Sequence, residues 1–393
     1  MNEKIIKLLP FGISDFETIR TGNYAYADKT RYIEMLENDS PYQFFVRPPK
    51  FGKSLFVSML SQYYDVLRRD SFDKLFGGLY IGENPTPRKN RYAVMEFNFS
   101  GIDTSTPDNL RKSFVDRVQT SACRFLEKYQ SIIPRTKSLI GEISRNKYGN
   151  MSMEFLYSEV KAADLKLFII IDDYDRFAED VIATGGSEEM IREFNIVLNF
   201  YTILKNGTTD VVDRIFITGV TPIMINGLTS GFNIASYLSL ARRYNNMMGF
   251  TAQEVDRLMD ETGINHADIK ADMAPGYLFD GDADDLIYNP SYFFSRIIQT
   301  TDNLNYDYAG LKRLTRNKTI QKRLLRIIEE EEIYAQIPSS FPMTSLNAEK
   351  YFESMLFYMG WLTFEKSPDP MGRLCIPNES IKNVFREYQR KSI

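Results

Sequence analysis

Histidine is nearly missing from this 393-residue chain, with His266 alone. That removes most histidine-based zinc sites and makes a Ser-His-Asp hydrolase improbable. Cysteine is almost as scarce: Cys123 and Cys375 cannot build a disulfide framework, and both read as core residues in a reducing compartment. Charge of one sign is absent too. Forty-eight Lys+Arg against 52 Asp+Glu leave −4, so no overall field recruits nucleic acid or an anionic membrane. No apolar run approaches the ~18–20 residues that a bilayer crossing requires. The densest, Leu167-Phe168-Ile169-Ile170-Ile171, ends in Asp172-Asp173. The opening Met1 to Lys7 stretch has no secretory-type apolar core, so the expectation is a cytoplasmic protein without a membrane partner.

Aromatic residues are abundant, with 28 Phe and 24 Tyr, which supplies core for two or three domains at ~150 residues each. Through about residue 230, short apolar runs alternate with amphipathic stretches, the pattern of a parallel sheet flanked by helices. Strands are expected at 43–46, 92–99, 165–171 and 214–219. Helices are expected at 54–67, 109–129 and 188–204. Beyond Gly249 the texture turns helical. A capping box, Thr251 with Glu254, opens a helix at 251–261, and others are expected at 292–300, 318–334 and 348–359. Runs at 361–364 and 373–376 suggest a hairpin closing a winged-helix-like module. The resulting reading is an α/β P-loop nucleotide-binding domain over 1–245 and a mostly helical domain over 246–393.

The strongest chemical signal is Arg47-Pro48-Pro49-Lys50-Phe51-Gly52-Lys53-Ser54, entered from a buried strand and leading into a helix. Loop and helix N–H groups converge there on phosphate, favoured by the helix dipole. Lys50, Phe51, Gly52, Lys53, Ser54 and Leu55 are therefore the expected nucleotide-binding residues. Lys53 would meet the β- and γ-phosphates, and the Ser54 hydroxyl would ligate Mg²⁺. The full motif asks for glycine where Arg47 stands.

The strand ending in Asp172-Asp173 has the Walker B form. Asp172 is the expected partner of Mg²⁺, and Asp173 would polarise the attacking water. Asp173 reaches one methylene less far than glutamate, so slow hydrolysis is expected. Thr218 closes the 214–219 strand, where a polar sensor of the γ-phosphate would sit. Arg47, Arg176, Arg242 and Arg243 are all candidates for transition-state stabilisation. Asp175 reads as a turn residue or ion-pair partner.

These segments, together with Leu9 to Phe16, Tyr26-Ala27-Asp28-Lys29-Thr30, Phe97 to Ile102 and Ile217-Thr218-Gly219-Val220, resemble the AAA-ATPase-like family of bacterial proteins. In that family the loop reads Arg-Pro-Arg-Arg-Phe-Gly-Lys-Ser-Leu, so Arg47 is a family feature and Pro49 a departure. The usual Ile-Asp-Glu-Tyr-Asp has Asp173 in place of glutamate. The resemblance implies an AAA/STAND-type ATPase domain that binds ATP and Mg²⁺. It also implies a helical region that many relatives extend into a PD-(D/E)XK nuclease-like domain, for which this sequence shows no acid-rich strand. The leading expectation is a nucleotide-dependent switch with weak ATPase activity acting on a protein partner, with a homo-oligomer as a further expectation. Two alternatives stay open: a pseudo-ATPase scaffold, and the ATPase component of a nucleic-acid-handling system, the latter by family analogy alone.

Overall fold

Four of the buried runs pair into one parallel sheet in the computed structural model, which describes residues 6–145, 149–177, 188–224, 232–265, 276–298, 311–312, 315, 317–342, 349–366 and 372–392. β1 (Tyr42–Val46), β2 (Tyr92–Asn98), β3 (Lys166–Asp172) and β4 (Val212–Gly219) are joined by the short β6 (Ser236–Tyr237). Their spatial order is β2-β3-β4-β1-β6. β5 (Ile223–Met224) leaves this sheet and pairs in parallel with β8 (Phe341–Pro342).

Helices cover both faces, which is why β3 is apolar along almost its whole length. Phe168 and Phe216 meet Tyr64 and Phe56 of the Lys53–Tyr64 helix, while Phe97 meets Phe200 of the Asn195–Gly207 helix on the other side. Alternation along β3 therefore sends Phe168, Ile170 and Asp172 toward the Lys53–Tyr64 helix. That parity decides where the acid goes.

The remaining strands, β7 (Glu332–Tyr334), β9 (Thr363–Phe364) and β10 (Arg373–Cys375), form an antiparallel sheet in the order β7-β10-β9. The expected hairpin is thus present as β9 and β10, with β7 added. The helix expected over 318–334 stops at Glu330. There Glu331 turns left-handed (φ 54°) and the chain enters β7. The expected 188–204 helix is two, Glu188–Glu193 and Asn195–Gly207. The helix expected through residue 67 ends at Tyr64, and a 3₁₀ segment, Val66–Ser71, follows. The capping box of the Ala252–Thr262 helix has both reciprocal bonds. Cys123 and Cys375 are half-buried and unlinked. His266 and the 367–371 turn lie outside the described residues.

One hydrophobic cluster runs from Phe16 to Tyr388 and includes residues on both sides of position 245. Among the described residues, no helix is long and apolar enough to cross a membrane.

Candidate functional site

β1 delivers the chain to Arg47, whose guanidinium is buried rather than presented. It donates to the carbonyl oxygens of Val46 (3.0 Å), Ser239 (2.7 Å) and Tyr244 (2.9 Å). It also lies between the rings of Phe45 and Phe279, 4.1 and 3.9 Å from their centroids. Burial pushes this guanidinium down to about 9. Arg47 is therefore a tie beneath the loop, adding side-chain bonds to those by which the Val46 amide and the Phe44 carbonyl already meet the Ser239 hydroxyl and the Leu238 amide after β6.

The loop reverses through Lys50 (φ 69°) and Gly52 (φ 91°), both left-handed. A Cβ at Gly52 would meet nothing within 4 Å, so glycine is required there by conformation and not by space. The open side of that turn faces a cleft. At Lys53 the helix begins, and the ammonium donates to the carbonyl oxygens of Arg47 and Pro48, both at 3.0 Å.

Ser54, one residue into the helix, donates its hydroxyl to Asp172 Oδ2 at 2.8 Å. The β3 alternation that aims Asp172 at this helix is what closes the distance. Burial raises the Asp172 carboxyl above its usual range and the neighbouring charge of Asp173 adds to this; Ser54, Lys53 and the Asp173 amide act against them. A buried carboxylate beside a hydroxyl, with its proton affinity raised, suits a hard divalent cation, whose charge would hold it ionised. Among the described residues no three His, Cys, Asp or Glu side chains group to hold a metal. Ser54 and Asp172 would supply two oxygens, which fits Mg²⁺ held largely by water and phosphate.

Asp173 is half-buried, left-handed at φ 51°, and donates its amide to Asp172 Oδ1 at 3.0 Å. The turn takes it off the strand's alternation and onto the cleft wall. Thr218 sits elsewhere. Its side chain is fully buried, is absent from the cleft lining and makes no hydrogen bond among the described residues.

Asp175, read from sequence as a turn residue or ion-pair partner, is a buried acceptor. It takes the Val220 amide (3.1 Å), the Thr221 amide (2.6 Å) and the Thr221 hydroxyl (2.7 Å). Burial raises its carboxyl as well. It locks the turn after β3 to the end of β4, and an added Cβ on Gly219 would lie 2.2 Å from its Oδ1. Nothing local in the sequence signals this lock, because the donors lie some 45 residues on.

The cleft has a volume of about 670 Å³. Residues 49–56 form its floor, and Asp173, Asp175 and Arg176 one side. The opposite wall is apolar and assembled from distant segments: Phe11, Ile13, Met248, Phe250, Leu258 and Phe294. Lys29 holds the wall together by donating to Glu254 (2.7 Å) and to the Asn246 carbonyl (2.8 Å). Of the four candidate arginines, Arg176 lines the cleft. Arg242 and Arg243 pair with Asp284 and Asp39.

An uncharacterized protein in the vnfD 5′ region of Azotobacter chroococcum mcd 1 is 24% identical over 401 residues, covering 97% of this chain and 69% of that one. A solved structure, the Walker-type ATPase PABY2304 of Pyrococcus abyssi, aligns over 91% of this chain and 94% of its own, with a TM-score of 0.46 and 12% identity. The family model described as AAA-ATPase-like, Predicted AAA-ATPase, matches residues 10–229, more than half of the chain and all of the loop, acid strand and β4 described above. The chain belongs to this AAA-ATPase-like family, as a P-loop ATPase-type protein.

Proposed function

We propose that the protein binds ATP with Mg²⁺ in the 670 Å³ cleft, hydrolyses it slowly, and passes the nucleotide state to a protein partner through residues 246–393. The observation that carries this reading is the Ser54–Asp172 contact of 2.8 Å at the mouth of an open, glycine-turned loop. The amides of residues 50–54 would bind phosphate, with the helix N-terminus adding favourable charge. Lys53 would exchange its two carbonyl partners for phosphate oxygens. Ser54 and Asp172 would hold the Mg²⁺, which when bound neutralises phosphate charge. Asp173 would orient water, its short side chain limiting the rate, and the apolar wall would take the base.

The switch part rests on how the loop is tied down. Phe51 packs edge-on against Tyr277 and Phe279, with centroids 5.0 and 5.4 Å away. Its carbonyl accepts the Gly249 amide at 3.1 Å, and the Pro49 carbonyl accepts Asn289 Nδ2 at 3.4 Å. A loop that shifts on binding phosphate would move these contacts directly. In this reading 1–245 is the nucleotide-binding unit, 246–393 the responding one, and the setting cytoplasmic.

Titration of the purified chain with ATP and Mg²⁺ tests the proposal. Lys53→Ala is expected to weaken binding on the order of a hundredfold, through loss of a charged phosphate contact. Unchanged affinity would sink it. Phosphate release, absent in the Lys53 variant, separates slow turnover from a pseudo-ATPase scaffold, which the short reach of Asp173 would favour.

A further inference from the structure

A second cleft, about 490 Å³, is lined by both members of the Ser54–Asp172 pair, of which the first cleft is lined by Ser54 alone. It sits over the edge strand β2, between the Lys53–Tyr64 helix and the long Pro107–Lys128 helix. β2 turns Val94, Glu96 and Asn98 into it, on the same alternation that aims Asp172. The long helix contributes Arg117, Thr120, Arg124 and Lys128, spaced so that all four share one face. Ser14 and Ser54 line both clefts.

The ionisable groups here are not equivalent. Lys128 is paired with the buried Asp65 at 2.7 Å, and Arg117 donates to the Ser100 carbonyl at 2.9 Å. Glu96 accepts the Ser61 hydroxyl, and Asp15 caps its own helix through Thr18. Arg124 is exposed to the cleft and has no hydrogen-bond or ion-pair partner among the described residues. The same cleft is lined by the hydroxyls of Ser58, Thr120 and Ser121 and by the carboxylates of Asp15, Glu96 and Asp172.

We propose that this cleft binds a small hydroxylated metabolite carrying one phosphate, of sugar-phosphate type. Arg124 and Arg117 would take the phosphate, and the carboxylates and hydroxyls the sugar. A guanidinium fork suits a phosphate, and carboxylates accept from sugar hydroxyls. The same carboxylates repel a polyanion, so the lining disfavours a nucleic-acid strand or a polyphosphate. The volume lies in the small-molecule range. The inference stands apart from the ATP reading, although occupancy beside Ser54 and Asp172 would place this ligand next to the nucleotide's metal.

Calorimetric titration of the full chain, saturated with Mg²⁺ and ADP, tests it, with glucose 6-phosphate as the probe and glucose and inorganic phosphate as comparison arms. Glucose 6-phosphate is expected to bind more tightly than either. Arg124→Ala is expected to weaken it about tenfold or more while leaving ADP affinity unchanged. Thr120→Trp, which fills the cleft without touching its charge, should abolish it, and thermal melting confirms that both variants fold. No binding of glucose 6-phosphate at millimolar concentration, equal binding of either comparison arm, or an unaffected Arg124 variant would overturn the proposal. Lys53→Ala separates the two sites: it should lose ADP and keep glucose 6-phosphate, and loss of both would refute a second site.

Discussion

The two clefts share Ser14 and Ser54 but are built in different ways. The smaller rests on regular structure: alternate residues of β2 and one face of a 22-residue helix supply polar groups at fixed spacing. The larger lies beyond the strand ends. Its floor is a turn held by two left-handed residues, and its apolar wall combines segments near residues 11, 250 and 294. Regular elements place polar groups by periodicity, whereas an apolar wall is gathered from wherever the fold brings chain together.

Removing Arg47 should break this contrast most severely, because the larger cleft depends on a tie the smaller one lacks. Arg47→Ala would take a donor from three carbonyls, leaving those of Val46 and Ser239 without one among the described residues while Tyr244 keeps the Met247 amide, and would open a gap between Phe45 and Phe279. A loss of about 3–5 kcal/mol in urea unfolding is expected, since each orphaned group costs roughly 1–3 kcal/mol and a cavity adds to it. A loss below about 1 kcal/mol would mean that the tie is not structural.

Gly219→Ala should be the next largest, at about 1–3 kcal/mol, from overpacking against Asp175 and Tyr174. Because Asp175 lines the larger cleft only, nucleotide affinity should fall with stability while glucose 6-phosphate binding holds.

Asp172, which lines the smaller cleft and accepts from the Ser54 that both share, sharpens the comparison through pH. Its carboxyl is raised in the folded state by burial and by Asp173, so the folded chain holds that proton more tightly than the unfolded chain. Stability should therefore fall as pH rises from the ordinary value of 3.8 through the raised one. Asp175 acts in the same sense through burial. Urea midpoints of Asp172→Asn should show a shallower fall with pH than those of the parent chain. An identical slope would remove Asp172 as a source. Mg²⁺-dependent nucleotide affinity should be lost in that variant at every pH.

The smallest effect is expected from Arg242→Ala. Its pair with Asp284 is exposed, and such pairs contribute little in water. An unchanged melting temperature, set beside the Arg47 result, would separate two arginines that look equally plausible in sequence.

Much of the larger cleft's floor was legible because its signals are local. A buried strand, a Gly-Lys-Ser turn and a helix start lie within a dozen residues, and Asp172 ends its own strand. The Ser54–Asp172 contact follows from alternation once the helix is laid on the sheet. Arg47 was legible as a family feature and a candidate for transition-state stabilisation but not as a buried tie, since its partners, Ser239 and Tyr244, lie nearly 200 residues away. The helix expected through residue 334 failed for a related reason. The charged run is a good helix former, but one left-handed residue, Glu331, lets 332–334 join β10, and that pairing is a tertiary gain.

Sequence alone determined the parallel sheet, the phosphate-type turn and the acid that faces it, because periodicity, glycine and chain adjacency act over a few bonds. Tertiary structure alone decided that Arg47 is buried as a tie, that Asp175 locks the end of β4, and that two unlike clefts share the serine bonded to Asp172. Those outcomes depend on burial and on hydrogen-bond partners far along the chain, and neither is encoded in any single stretch of residues.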